Sequence, residues 1–224
     1  GNPGEELLVG SGFSADTLFN NLSKFWIFLG SNTDFSGPDL TFELINDSTI
    51  TSMSNIGVGN EVANVGDVNG DGFNDFALGL ENVGDDFNYT GAVYVYPGQD
   101  YSVQPKGIIN PSEPIAILRP DTLSGQSISS FGTSVSGGDF DGDGFNDIAV
   151  VSQSGSGTPA PPTVFVFKGG TTLDAEADYK LYATEADFGG VDPDTVSGLF
   201  SSFTVEFMPK EGSNTHQDLY LAPG

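Results

Sequence analysis

Two nine-residue stretches carry the chemistry open to this chain: DVNGDGFND, from Asp67 to Asp75, and DFDGDGFND, from Asp139 to Asp147. Each sets an oxygen-bearing side chain at its first, third, fifth and ninth positions: Asp67, Asn69, Asp71 and Asp75 in one, Asp139, Asp141, Asp143 and Asp147 in the other. Two carboxylates about 5 Å apart repel by roughly 3 kcal/mol at an effective dielectric near 20, so such crowding needs an offsetting positive charge. Hard oxygen donors at alternate positions suit Ca2+, whereas Zn2+ would want His or Cys. The carbonyls of Phe73 and Phe145, at position seven, complete each donor set, and the glycines at 70, 72, 142 and 144 allow the positive φ that turns the carboxylates inward. The expectation is two Ca2+ sites.

The opening of each stretch matches an EF-hand loop, but the twelfth residue is Leu78 or Val150 where that loop needs a bidentate Glu. The flanks also read as strands. Asp-Gly-rich loops make good hairpin turns without any metal, yet two copies in phase with a longer repeat favour the metal reading. A third stretch at the corresponding place, PKEGSNTHQD from Pro209 to Asp218, lacks the alternating carboxylates and is expected to bind none.

The elements that must hold these loops are short strands, because the loops belong to a repeat. Four apolar runs, LLVGS from Leu7, FALGL from Phe76, IAVVS from Ile148 and LYLAP from Leu219, each follow an acidic residue and recur at spacings of 69, 72 and 71. Three alternating segments, KFWIFLG, GAVYVYPG and TVFVFKG, end at Gly30, Gly98 and Gly169. First strands are expected at residues 60–65, 132–137 and 202–207, and fourth strands at 40–45, 114–119 and 179–184. Four antiparallel strands per unit of about 70 residues point to an all-β fold, a β-propeller. The units divide as 1–57 (partial blade), 58–128 and 129–197 (full blades with a calcium loop each) and 198–224 (partial blade). About three blades' worth of chain with out-of-phase ends suggests a segment of a longer or cleaved ring; closure between chains and an incomplete four-bladed ring are the alternatives.

The bulk composition agrees. The 224 residues are 37% hydrophobic and 12% aromatic, with 31 Gly and 13 Pro, as many short strands and turns require. Six Lys plus Arg against 31 Asp plus Glu gives a formal charge of −25, which repels phosphate backbones and anionic headgroups, so nucleic acid is not expected as a partner. Bound cations or salty surroundings would relieve that charge. There is no cysteine for a disulfide or thiolate site. No apolar run approaches the ~18 residues of a membrane span, so membrane insertion is not expected, and the opening GNPGEELLVG has no signal-peptide pattern.

The stretch FGTSVSGGDFDGDGFNDIAVVS from Phe131, with GNEVANVGDVNGDGFNDFALGL from Gly59 and GAVYVYPG from Gly91, resembles the FG-GAP repeats of the integrin α-subunit propeller and its bacterial relatives. The resemblance covers nearly the whole chain. It implies loops between first and second strands that bind Ca2+ on one face of the propeller, the eight side chains named above as ligands, and a domain that serves adhesion or ligand recognition. The FG pair is intact at Phe131-Gly132 and reads VG at Val58-Gly59, while GAP survives as LAP at Leu221 to Pro223.

Other motifs are outweighed. LLVGSGFSAD from Leu7, with Asp34 downstream, imitates a dinucleotide fingerprint, but it aligns with repeat units that lack one and no βαβ series follows. A single His216, no Cys and no G-x-S-x-G elbow leave little for covalent catalysis, and loop carboxylates held by a cation stay ionised, unfit as general acids. Trp26, in an alternating strand, reads as packing rather than sugar stacking. Sequons stand at Asn21, Asn46 and Asn88, and no RGD is present.

The function expected is therefore a non-enzymatic, calcium-stabilised propeller outside the cell or at its surface, meeting a protein or glycan ligand of a cell surface or matrix. Variable loops at 82–90 and 154–162 would present the recognition surface. Two alternatives are the propeller portion of a secreted enzyme that processes glycans or lipid-linked glycans, and a structural subunit that builds a homo-oligomer or filament by strand addition.

Overall fold

Phe76, Leu78 and Leu80 alternate with Ala77 and Gly79, and the same alternation of Tyr94 and Tyr96 with Val93 and Val95 follows. A period of two builds strands, and apolar residues on both phases build strands buried on both faces. The computed structural model describes residues 7–10, 24–28, 39–43, 61–81, 90–101, 107–109, 113–120, 128–154, 163–182, 203–209 and 217–223. Among the described residues there is no α-helix, so none is long and apolar enough to cross a membrane.

The first sheet contains β1 (Leu7–Gly10), β2 (Lys24–Phe28) and β3 (Leu40–Glu43), paired antiparallel in that order. The second is an antiparallel meander of β4 (Glu61–Gly66), β5 (Asp75–Leu80), β6 (Ala92–Tyr96) and β8 (Ala116–Leu118). The third repeats it with β9 (Ile128–Gly138), β10 (Asp147–Ser154), β11 (Thr163–Phe167) and β12 (Tyr179–Tyr182). The pair β13 (Phe203–Pro209) and β14 (Gln217–Pro223) begins a fourth. Successive sheets pack on one another, with β9 in contact with β4 and β5 of the second sheet and with β13 of the fourth. This is the stacking of β-propeller blades.

Two features depart from the expected strands. The first sheet gains a fourth member, β7 (Gly107–Ile109), which leaves the connection between β6 and β8 to pair parallel with β3, Leu40 facing Gly107. An outer strand carries a row of unpaired N–H and C=O groups, and a passing connector can satisfy them. The first strand of the third sheet runs from Ile128 rather than Gly132. Its register shifts opposite Val151 to Gln153, and Ser130 takes a φ of 53°.

Alternation then decides which core each residue enters. Phe76, Leu78, Leu80, Tyr94 and Tyr96 share a buried cluster with Ile27 and Leu40 of the first sheet. Ala77, Val93 and Val95, from the other face of the second sheet, join Phe131, Ile148, Val150, Phe165 and Phe167 of the third. Phe131 is fully buried, edge-on to Phe165 and Phe167 with centroids 5.4 and 6.2 Å away, and its N–H donates to the Thr90 carbonyl at 2.8 Å. Between the same sheets, the Glu61 carboxylate accepts the Val135 N–H at 2.9 Å. Burial raises the Glu61 pKa, and that hydrogen bond opposes the rise.

Candidate metal centre

Both acidic stretches lie in the turns the repeat assigns them, one between β4 and β5 and the other between β9 and β10. Their geometry begins with the first aspartate. Asp67 accepts the N–H groups of Gly70 at 2.7 Å and Asp71 at 3.0 Å on Oδ1, and that of Gly72 at 2.9 Å on Oδ2. Asp139 does the same with Gly142 at 2.6 Å and Gly144 at 3.1 Å. A chain that curls its N–H groups round one carboxylate needs left-handed residues; φ is 77° and 90° at Gly70 and Gly72, and 80° and 95° at Gly142 and Gly144. The third and fifth residues continue the curl. Asn69 accepts from Asp71 N–H at 2.8 Å and Asp141 from Asp143 N–H at 3.1 Å, while Asp71 and Asp143 each accept from the Phe two residues on at 2.9 Å.

The ninth-position aspartates differ in kind from the rest. Asp75 and Asp147 are fully buried. Asp75 accepts Val68 N–H at 3.0 Å and Gly98 N–H at 2.7 Å; Asp147 accepts Phe140 N–H at 2.8 Å and Gly169 N–H at 2.9 Å. Each one ties its loop to the end of the third strand of the same sheet. Desolvation pushes both pKa values up, the backbone bonds pull them back, and neighbouring carboxylates push further up, Asp71 and Asp67 in one loop, Asp141 and Asp143 in the other; both end raised.

Gly98 and Gly169 thus hold the buried aspartates of the candidate site, a part that their place at the ends of alternating segments does not by itself reveal. A Cβ on Gly98 would lie 2.0 Å from the Asn74 carbonyl oxygen, and one on Gly169 would lie 2.1 Å from that of Asn146. Their recurrence at the end of matching segments was the available signal.

Asp75→Ala or Asp147→Ala leaves two N–H groups without their acceptor, and we expect a loss of about 2–4 kcal/mol in chelator, read by urea denaturation. Asp71→Ala, at an exposed position, is expected to change stability by under about 1 kcal/mol under the same conditions. Equal losses in both variants would show that the buried pair is not what anchors the turns.

One oxygen from each of Asp139, Asp141 and Asp147 lies within 4.8 Å of the others. Oxygens that share a Ca2+ at 2.3–2.6 Å can be at most about 5 Å apart, so the trio fits that ion's radius and hard-donor preference. Asp143 lies outside this trio. In the first loop no carboxylate trio of that kind occurs among the described residues; there the Asn69 amide Nδ2 donates to Asp71 at 3.0 Å and lies 3.5 Å from Asp75. In the second, the Lys168 ammonium forms an ion pair with Asp141. Phe73 is 44% exposed, whereas the Phe145 ring covers Gly70 of the first loop. The loops are also joined by their backbones, with Asn146 N–H donating to the Asp67 carbonyl at 3.0 Å and Gly170 N–H to that of Val68 at 2.8 Å.

Several expected features lie outside the described residues: His216 and most of the degenerate turn before Asp218, the sequons at Asn21, Asn46 and Asn88, residues 82–89 and 155–162 of the variable loops, and most of the fingerprint-like segment after Gly10.

Residues 131–161 match the family model of the FG-GAP repeat. Integrin alpha-5 of Xenopus laevis is 29% identical over 183 residues, which cover 79% of this chain and 15% of that protein. Integrin alpha-PS5 of Drosophila melanogaster is 32% identical over 112 residues, 49% of this chain and 10% of that protein. The chain thus spans a small part of the length of either relative.

Proposed function

For a chain of FG-GAP, integrin-α-like β-propeller repeats, we propose a calcium-binding, non-enzymatic role in adhesion, recognition or surface assembly outside the cell. One observation carries the reading: two turns with the same hydrogen-bond scheme recur in successive sheets, and one of them gathers three carboxylate oxygens within 4.8 Å. In this reading Asp67, Asn69, Asp71, Asp75 and the Phe73 carbonyl hold one Ca2+. Asp139, Asp141, Asp143, Asp147 and the Phe145 carbonyl hold the other. The ion would neutralise the acidic turns and stiffen the face from which neighbouring loops meet a protein or glycan partner. Affinities like those of extracellular calcium modules, with dissociation constants of about 10⁻⁴–10⁻³ M, would leave the turns unfilled at cytosolic calcium, which supports an extracellular setting. Resemblance to integrin α chains supports the adhesive role, and a cation that keeps the carboxylates ionised argues against their use as catalytic acids.

Equilibrium dialysis tests the ligand set. We expect two Ca2+ bound per wild-type chain at about 10 mM free calcium, well above those dissociation constants, and one per chain in Asp143→Ala. A wild-type chain that takes up none would overturn the reading, and full uptake by the variant would remove Asp143 from the ligand set.

A further inference from the structure

The two acidic turns share one hydrogen-bond scheme and differ at the second position, Val68 against Phe140, and among their oxygen donors at the third, Asn69 in one and Asp141 in the other. The second turn therefore has one more carboxylate. Among the described residues it also has a cation that the first lacks. Lys168 stands between the last residue of β11 and Gly169, whose N–H holds Asp147; the residue at the same place after β6 is Pro97. The Lys168 ammonium forms an ion pair with Asp141 Oδ2, and the two side chains are 35% and 23% exposed. The root of the lysine is fixed, because its own N–H donates to Asp178 at 2.8 Å and Asp178 N–H donates to the Val166 carbonyl at 2.9 Å. The other Asp141 oxygen accepts the Asp143 N–H at 3.1 Å.

We propose that Lys168 is a built-in counter-ion that sets the divalent-cation affinity of the second turn by competing for Asp141. The inference rests on the calcium reading above. Among the described residues, three aspartates with no lysine partner in the first turn, against four aspartates paired with Lys168 in the second, leave each with three formal negative charges. Calcium affinity rises with the charge of the donor set, so the extra carboxylate would by itself make the second site the tighter. The ammonium cancels that advantage in two ways. It occupies an oxygen that the ion needs, and it repels the ion across the short span of one carboxylate. The two sites consequently fill over the same range of calcium concentration although their side chains differ. Lys168 acts through Asp141 and is a positioning residue, not a ligand.

Calorimetric titration with CaCl2, in an Asp71→Ala background that silences the first turn, reads the second alone. We expect Lys168→Met to tighten calcium binding about tenfold, from one unit of charge removed close to the ion, and Lys168→Gln to behave alike. Lys168→Arg keeps the charge and should bind as the parent does. Adding Asp141→Asn should reduce the Lys168→Met effect below about threefold, because the carboxylate under competition is gone. Unchanged affinity in Lys168→Met and Lys168→Gln overturns the inference and leaves the calcium reading standing. No heat of binding from any of these proteins at millimolar calcium overturns both.

Discussion

Gly137→Ala should lower the melting temperature of the chain by about 6–12 °C, from a loss near 3 kcal/mol at roughly 2–4 °C per kcal/mol for a chain of this size. The added Cβ would lie 2.2, 2.3 and 2.4 Å from the carbonyl oxygen, Cα and carbonyl carbon of Val65. All three are backbone atoms, so no rotamer change can relieve the contact. Relief requires β9 to move away from β4, and that opens the cluster that Val65 shares with Phe131, Ile148 and Phe165. Gly72→Ala is the contrast. Its Cβ would meet nothing within 4 Å, and the strain comes only from a φ of 90°, about 1–2 kcal/mol confined to an exposed turn. Differential scanning calorimetry of the two variants in chelator separates them. A Gly137→Ala protein that melts within 2 °C or so of wild type would mean the sheets are not held at backbone contact.

Calcium removal should have the largest effect of any change in conditions, and its size should depend on pH. An ion at a hundred times its dissociation constant adds about 2.7 kcal/mol per site, so two sites raise the melting temperature by roughly 10–20 °C at neutral pH. Asp75 and Asp147 have raised pKa values in the folded chain, mainly from desolvation. The folded state therefore holds their protons more tightly than the unfolded state does. It follows that the cation-free chain gains stability as pH falls through the raised values toward the ordinary aspartate range near 4. Calcium needs both groups ionised, so its added stability shrinks over the same interval and the two stability curves converge in acid.

The formal charge of −25 works in the same direction on the cation-free chain. Asp147→Asn changes that total by one unit but removes one buried titration, so it isolates the local part as a flatter slope. Melting curves from pH 7 to 4, with chelator and with excess calcium, decide the matter. A calcium increment that stays constant down to pH 4, or a cation-free chain that loses stability on mild acidification, would contradict this account.

The repeat, the strands and the acidic turns were legible in the chain because their causes are local. A period of two makes a strand wherever it falls, as in Phe76 to Leu80. A carboxylate followed by glycines at the fourth and sixth places curls the backbone round itself, as at Asp67 and Asp139, whatever surrounds it. The in-phase copies carried the inference from strand to blade. The curl of the two candidate turns was legible to the same depth. The first and fifth aspartates are held by bonds within their own turns, and the turn motif foretold them.

What only the tertiary structure decided depends on segments distant in the chain. The anchoring of Asp75 by Gly98 and of Asp147 by Gly169 spans 23 and 22 residues, and the reason for those glycines is visible only once a loop carbonyl presses on them. The parallel addition of β7 to β3, the Glu61 bond to Val135 and the ion pair of Lys168 with Asp141 arise where separately formed surfaces meet. Side-chain period and turn chemistry act over a few residues, and so they can be read in order along the chain. Which edge a connector passes, and which charge a lysine reaches, are set by how the sheets pack, through contacts that have no fixed spacing in sequence.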